Sequence, residues 1–318
     1  MITGKAFEYA LLLEFENRLK YVTNCTVIKN SSFNIAKKCF EEIGKIAQSE
    51  YMITASSAVN FLVDIEPRLS NGINTSDVLQ LEIMSDNQGK KGDVRDVLAI
   101  RVLQKWEIGV SAKNNHEAVK HSRLSAHIDF GEKWLDTPVS KKYFKIVTPI
   151  FNELEKIKKE SSGKRRWSEL GDYHTTIYIP ILKAFVRELK SLSQKKSVNV
   201  ASNLVTYLVG NKDFYKVIKR KGTLEIQAYN LRGTLNLPFK NISPKFFTPR
   251  VPLPKKIIKV DFKKGSDTTA IIAMDNNWTL SFRIHNASSK VESSLKFDIK
   301  LLKTPTELFK NTLSINYK

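Results

Sequence analysis

Two cysteines in 318 residues, Cys25 and Cys39, cannot build a disulfide framework or a four-ligand zinc site, so no disulfides are expected and a reducing cytoplasm is the expected setting. Long apolar runs are missing too. The longest uncharged stretch, Ser197 to Asn211, is too short to cross a bilayer and is full of Asn, Ser and Thr. The opening MITGKAFEYALLLEFENRL carries charges throughout instead of a signal peptide's apolar core. These shortages set aside the secreted and membrane classes, and there is no internal repeat or low-complexity tract. What remains, 42% hydrophobic and 26% charged, is the composition of a folded soluble protein.

Acid is in short supply, and unevenly so. Lys and Arg number 52 against 32 Asp and Glu, a net of +20. Residues 1–150 hold 20 basic and 18 acidic side chains, whereas residues 151–318 hold 32 and 14, a net of +18. A basic half joined to a near-neutral half suggests a grip on a polyanion beside a part that needs its carboxylates. Nucleic acid is the first partner to consider; an anionic membrane surface or an acidic protein is the rival.

The patterning predicts a mixed α/β N-terminal domain, 1–197, and a basic α+β C-terminal domain, 198–318. Phe7, Ala10, Leu11, Phe15, Leu19 and Val22 recur at helical spacing, with Thr3 as N-cap. Helices are expected over 34–48 and 54–65, over a short stretch from Thr75 to Met84, and again from Asn114 onward. Further helices are expected over 140–160, 178–192 and 198–209. DNQGKKG at 86–92 reads as a loop. Strands are expected over 96–102, 106–113, 223–229, 257–262, 268–274, 279–285 and 295–301.

The stretch GDVRDVLAIRVLQKWEIGVSAKNNHEAVKHSRLS, 92–125, carries the chemistry. A hairpin turning at Gln104 sets Asp96 opposite Ala112, beside Lys113, and Glu107 opposite Arg101 as a cross-strand ion pair. An Asp on one strand with a Lys at the end of the next is the skeleton of a metal-dependent phosphodiesterase. The Asp and the Ala112 carbonyl hold a divalent cation, and the Lys orients the attacking water. Hard oxygen ligands favour Mg2+, with Mn2+ able to substitute. Asn114, Asn115, His116, Lys120, His121 and Arg123 follow as a polar run suited to phosphates and base edges. Arg165 and Arg166, with Lys219 and Arg220, are further phosphate contacts suggested by the basic surplus.

The hairpin resembles the PD-(D/E)xK nuclease core, a mixed sheet flanked by helices. Three blocks, GKAFEYALL (4–12), GDVRDVLAIR (92–101) and WEIGVSAKNNHEAVKHSRLS (106–125), resemble the HaeIII-type restriction endonucleases. The resemblance implies a prokaryotic type II restriction enzyme: Mg2+-dependent hydrolysis of double-stranded DNA in a short palindrome, GGCC, with blunt ends. A palindrome is normally read by a homodimer, with a monomer nicking the two strands in turn as the alternative; the sequence does not choose between them. The superfamily places an acid two residues before the lysine, but Ser111 stands there. Glu117, Glu8 and Asp93 are the alternatives for the displaced carboxylate. Two rival functions stay open, a repair or recombination nuclease and a sequence-specific DNA-binding protein with an inactive core.

Duller readings stand beside these. Asp96 and Lys113 also fit a plain cross-strand ion pair, and Glu8 an exposed helix charge. Trp106, Trp134, Trp167 and Trp278 read as packing residues, and the two cysteines as bystanders.

Overall fold

The computed structural model describes residues 2–70, 76–85, 92–115, 119–120, 122–195 and 199–317. The chain divides into two compact units, each assembled from separated segments. The first comprises 1–117, 210–252 and 306–318, the second 118–209 and 253–305. A single boundary near 197 does not describe this division, because strands beyond it complete the sheet of the first unit. Division by unit softens the charge asymmetry: the second unit holds 27 basic and 14 acidic residues, the first 25 and 18, so both are net basic.

The first unit is a seven-stranded mixed sheet with helices packed on it. Its strands are β1 (Cys25–Ile28), β2 (Leu79–Ile83), β3 (Val97–Arg101), β4 (Trp106–Asn114), β6 (Phe214–Arg220), β7 (Thr223–Tyr229) and β12 (Phe309–Ser314), in that spatial order. The β1–β2 and β4–β6 pairs are parallel and the others antiparallel. Helix α1 (Ile2–Leu19) lies against the sheet and against α2 (Ser31–Glu42) and α3 (Lys45–Ile65). Ala6, Phe7, Tyr9, Ala10, Leu11, Leu12, Phe15 and Leu19 are all buried, so α1 is covered on most of its circumference and not along one stripe.

Several expectations change here. Thr3 lies inside α1 and does not cap it, and Val22 is exposed beyond its end. The helix expected over 34–48 is two helices, with Ile43 and Gly44 extended between them and Asn30 capping the first through the Phe33 amide. The stretch toward Met84 is strand β2, since Leu79, Leu81 and Ile83 alternate into the core. Residues 71–75 and 86–91 lie outside the described residues.

The second unit carries a five-stranded antiparallel sheet. It orders β5 (Arg123–Ser125), β11 (Ser294–Lys303), β10 (Thr279–His285), β9 (Thr269–Met274) and β8 (Ile257–Phe262). Its helices are α4 (Phe130–Leu135), α5 (Lys141–Glu160), α6 (Ile179–Ser193) and α7 (Val200–Val209). Ser140 caps α5 through the Tyr143 amide, and buried Glu188 on α6 accepts from the Ser140 amide (2.6 Å) and hydroxyl (2.7 Å). Rings of Phe130, Trp134, Phe185, Phe282 and Phe297 pack together at the centre, mostly tilted, with Phe282 and Phe297 edge to face. All four tryptophans are buried, as packing residues should be.

Candidate active site

The hairpin places Asp96 at the open end of β3 and β4. Val97 faces Val110 and Arg101 faces Trp106, one residue off the expected register. The turn 102–105 closes on Lys105 at φ 48° with no Gly or Asn to announce its length. The Asp96 amide nevertheless donates to the Val110 carbonyl at 2.8 Å, so two residues of one strand meet one of the other in the manner of a bulge. Such a bulge re-aims a side chain. The Asp96 carboxylate swings over the following residues of β4.

There it collects three donors: Ser111 Oγ at 3.2 Å, the Ala112 amide at 2.8 Å and Lys113 Nζ at 3.1 Å. Among the described residues all three fall on Oδ2, which leaves Oδ1 to face other chemistry. The N–H and C=O of one strand residue leave by the same edge. The Ala112 carbonyl therefore faces the side on which Asp96 lies. Ser111, the residue in place of the superfamily's acid, is a buried donor to the remaining one.

Glu8 on α1 is the second carboxyl of the site. It is buried and paired with Lys5 at 3.0 Å. Burial pushes its pKa up to about 8; the Asp96 charge adds to the rise, and Lys5 and Lys113 only partly oppose it. Glu8 is thus not an exposed helix charge. Two crowded carboxyls beside a backbone carbonyl form a hard-oxygen donor set short of positive charge, which fits a divalent cation. Among the described residues no cluster of three or more His, Cys, Asp or Glu occurs, so the set rests on Asp96 and Glu8.

The other expected residues divide. Asp93 does not join the site: its carboxylate is clasped by Arg95 through Nε (2.8 Å) and Nη2 (2.7 Å). Arg95 also meets Glu107 at 3.1 Å, and Glu107 meets Lys212 at 3.1 Å, so the expected Glu107–Arg101 pair is absent. Arg101 instead turns fully inward to the Arg68, Leu69 and Asp77 carbonyls and the Asp77 carboxylate. His116, Glu117 and His121 lie outside the described residues.

Next to Lys113, Asn114 donates to the Tyr51 hydroxyl at 2.9 Å, and exposed Asn115 takes a left-handed conformation at φ 58°. The buried Lys219 ammonium meets Glu50 at 3.2 Å and the faces of Tyr51 and Tyr317, so it does not stand in solvent as expected. Arg220 pairs with Glu225 at 3.5 Å.

In the second unit Arg123 sits in strand β5, not in the expected helix, near Ser294 and Glu292. Lys120 lies 4.1 Å over the Tyr207 ring, and burial lowers its pKa. Arg165 pairs with Glu169, and Arg166 is exposed.

Sequence reasoning missed three parts of this arrangement. The Ser111 hydroxyl and the Ala112 amide support Asp96 through a local geometry that side-chain patterns do not encode. Lys5 was legible as the residue one helical turn before Glu8. Arg95 had a subtler mark, Gly109: a Cβ there would lie 2.1 Å from Arg95 Cδ.

A mixed sheet presenting Asp and Lys at the open end of a hairpin, with a helix-borne Glu behind them, defines a nuclease core of the PD-(D/E)xK class. The sequence model of the HaeIII restriction endonuclease family matches residues 4–305. The type II restriction enzyme HaeIII of Haemophilus aegyptius is 42% identical over 307 residues, covering 96% of this chain and 95% of that protein. The chain belongs to the HaeIII restriction endonuclease family. No solved structure matches it. Among the described residues no helix is long and apolar enough to cross a membrane.

Proposed function

We propose a site and a target for this type II restriction endonuclease: cleavage of double-stranded DNA within GGCC, to blunt ends, at a centre built from Asp96, Lys113 and Glu8. Type II restriction enzymes generally use a divalent metal, and Mg2+ is the ion in this reading, with Mn2+ as substitute. The Asp96 and Glu8 carboxylates and the Ala112 carbonyl would hold it, with Glu117 as a further ligand. When bound, such an ion lowers the pKa of a water and offsets charge on the scissile phosphate.

The chain's own residues supply the rest. Ser111, the Ala112 amide and Lys113 hold Asp96 on one oxygen, so the other is presented without a search for orientation. The Lys113 ammonium orients the attacking water and stabilises the developing phosphorane charge. Asn115, Lys120, Arg123, Arg165, Arg166 and Arg220 are the DNA contacts of this reading; Asn114 joins them through Tyr51, and His116 and His121 remain expectations. Lys219, occupied by Glu50, serves as support for Tyr51 beside the site. A two-fold dimer on the palindrome and a cytoplasmic location complete the reading.

The single observation that carries it is the convergence of three donors on Asp96 Oδ2. Plasmid digestion with Mg2+ or EDTA, beside Asp96→Asn and Lys113→Ala, tests it. Discrete Mg2+-dependent fragments, lost in both variants, with ends mapping to GGCC are expected. Nicking without fixed ends would favour the repair nuclease. A salt-sensitive gel shift without cleavage would favour the DNA-binding regulator.

A further inference from the structure

The second unit carries a trough whose walls hold more cations than acids. Helix α6 exposes Lys183, Arg187 and Lys190 at spacings of four and three, a single stripe along its outer face. Its one acid, Glu188, is turned inward and consumed by the start of α5. Along this stripe lies β8, the edge strand of the five-stranded sheet.

Two open clefts of about 550 and 390 Å³ follow one another between helix and strand. The first is lined by Lys183, Phe262 and Lys263 with Asp267 at its rim, the second by Lys190, Ile258 and Lys259 with Asp261, so cations outnumber acids two to one in each. Exposed Lys263 and Lys264 continue the strand side. Among the described residues Lys183, Arg187, Lys190, Lys263 and Lys264 have no ion-pair partner. Lys259 pairs with Asp261 at 3.4 Å. Lysines on an edge strand also blunt strand-to-strand association, but that role asks nothing of the helix facing it.

We propose that the α6–β8 trough is a sequence-independent binding site for the phosphate backbone of duplex DNA, an inference that rests on the nuclease reading above. Seven residues of helix span about 10.5 Å, the rise of roughly three nucleotides of one strand. Three unpaired cations on that span match successive phosphates. The apolar stems and the half-buried Ile179 and Phe262 beneath them hold the ammonium groups outward. The site reads charge and spacing, not bases.

The test is the salt dependence of binding of the full chain to a duplex lacking GGCC. Each phosphate contact contributes about 0.9 to the slope of log affinity against log salt. Lys183→Gln/Arg187→Gln/Lys190→Gln should lower the slope by about 2 to 3, so that wild type loses roughly 40-fold more affinity between 50 and 200 mM salt. Lys263→Gln/Lys264→Gln, on the opposite wall, should lower it by about 1 to 2 and gives a second reading if the triple variant folds poorly. Lys37→Gln/Lys38→Gln/Lys45→Gln, an equal loss of charge in the first unit, should leave the slope in place.

An unchanged slope in the trough variants, or an equal fall in the control, overturns the proposal. If wild type cleaves GGCC under those outcomes, the nuclease reading survives alone. A wild type that binds no duplex overturns both.

Discussion

Lowering the pH should strip the divalent ion from this site in proportion to protons taken up by one residue, Glu8. Its carboxyl holds a proton up to about pH 8 because burial, and then the Asp96 charge, oppose ionisation. A cation takes the carboxylate and not the acid, so binding below that pH must expel a proton. With a pKa of about 8, roughly half of the carboxyls are ionised at pH 8 and about one in a hundred at pH 6. Apparent Mg2+ affinity should therefore fall roughly 50-fold over that span, and flatten above it. Titration calorimetry in two buffers of different ionisation enthalpy would read both the affinity and about one proton released per ion at pH 6–7. Glu8→Gln should bind weakly, with no slope and no proton. Lys5→Met removes a charge that lowers the Glu8 pKa, so it should move the rise to higher pH. Equal wild-type affinity at pH 6 and 8, or a wild-type slope retained in Glu8→Gln, would refute Glu8 as a ligand.

Other expectations follow from the same geometry. Asp96→Asn and Lys113→Ala should lose about a hundredfold or more in cleavage rate while retaining DNA binding, measured by single-turnover cleavage beside gel shift. Arg95→Leu should strand Asp93, while Glu107 keeps Lys212, and cost about 3 kcal/mol in urea unfolding. Gly109→Ala should cost about 1–3 kcal/mol, relieved in the double variant with Arg95→Ala if the overlap is the cause. Glu66, buried between the Tyr215 hydroxyl (2.6 Å) and the Asn236 amide (2.7 Å), is raised to about 7, chiefly by burial. Its folded pKa exceeds its unfolded one, so its contribution is full below about pH 4.5 and is lost as pH rises through about 7. Glu66→Gln should remove a pH-dependent loss on the order of 3 kcal/mol across that window.

The hairpin was legible because Val97–Arg101 and Trp106–Asn114 are adjacent runs rich in β-forming residues, separated by only four residues. Its register was not, since Lys105 adopts a left-handed conformation that usually advertises itself with Gly or Asn. The fate of its charges was hidden too. Arg101 and Glu107 stand close in sequence and read as a pair, yet one is consumed by loop carbonyls and the other by Arg95. Strand β2 was misread because five residues of alternation are too short to outvote a neighbouring cap. Glu8 was visible as a residue of α1, but its burial comes from α1 being covered nearly all round, a tertiary fact. The charge asymmetry is diluted by the fold, because basic stretches beyond residue 210 return to the first unit and leave both units net positive.

That stitching limits how such an enzyme can change. The backbone passes between the units four times. Trading either one between relatives therefore takes several coordinated exchanges, and no single crossover delivers a whole unit. Truncation is equally unproductive, because the nuclease sheet draws β6, β7 and β12 from beyond residue 210. A ribosome must translate past Ser314 before that sheet has all its strands.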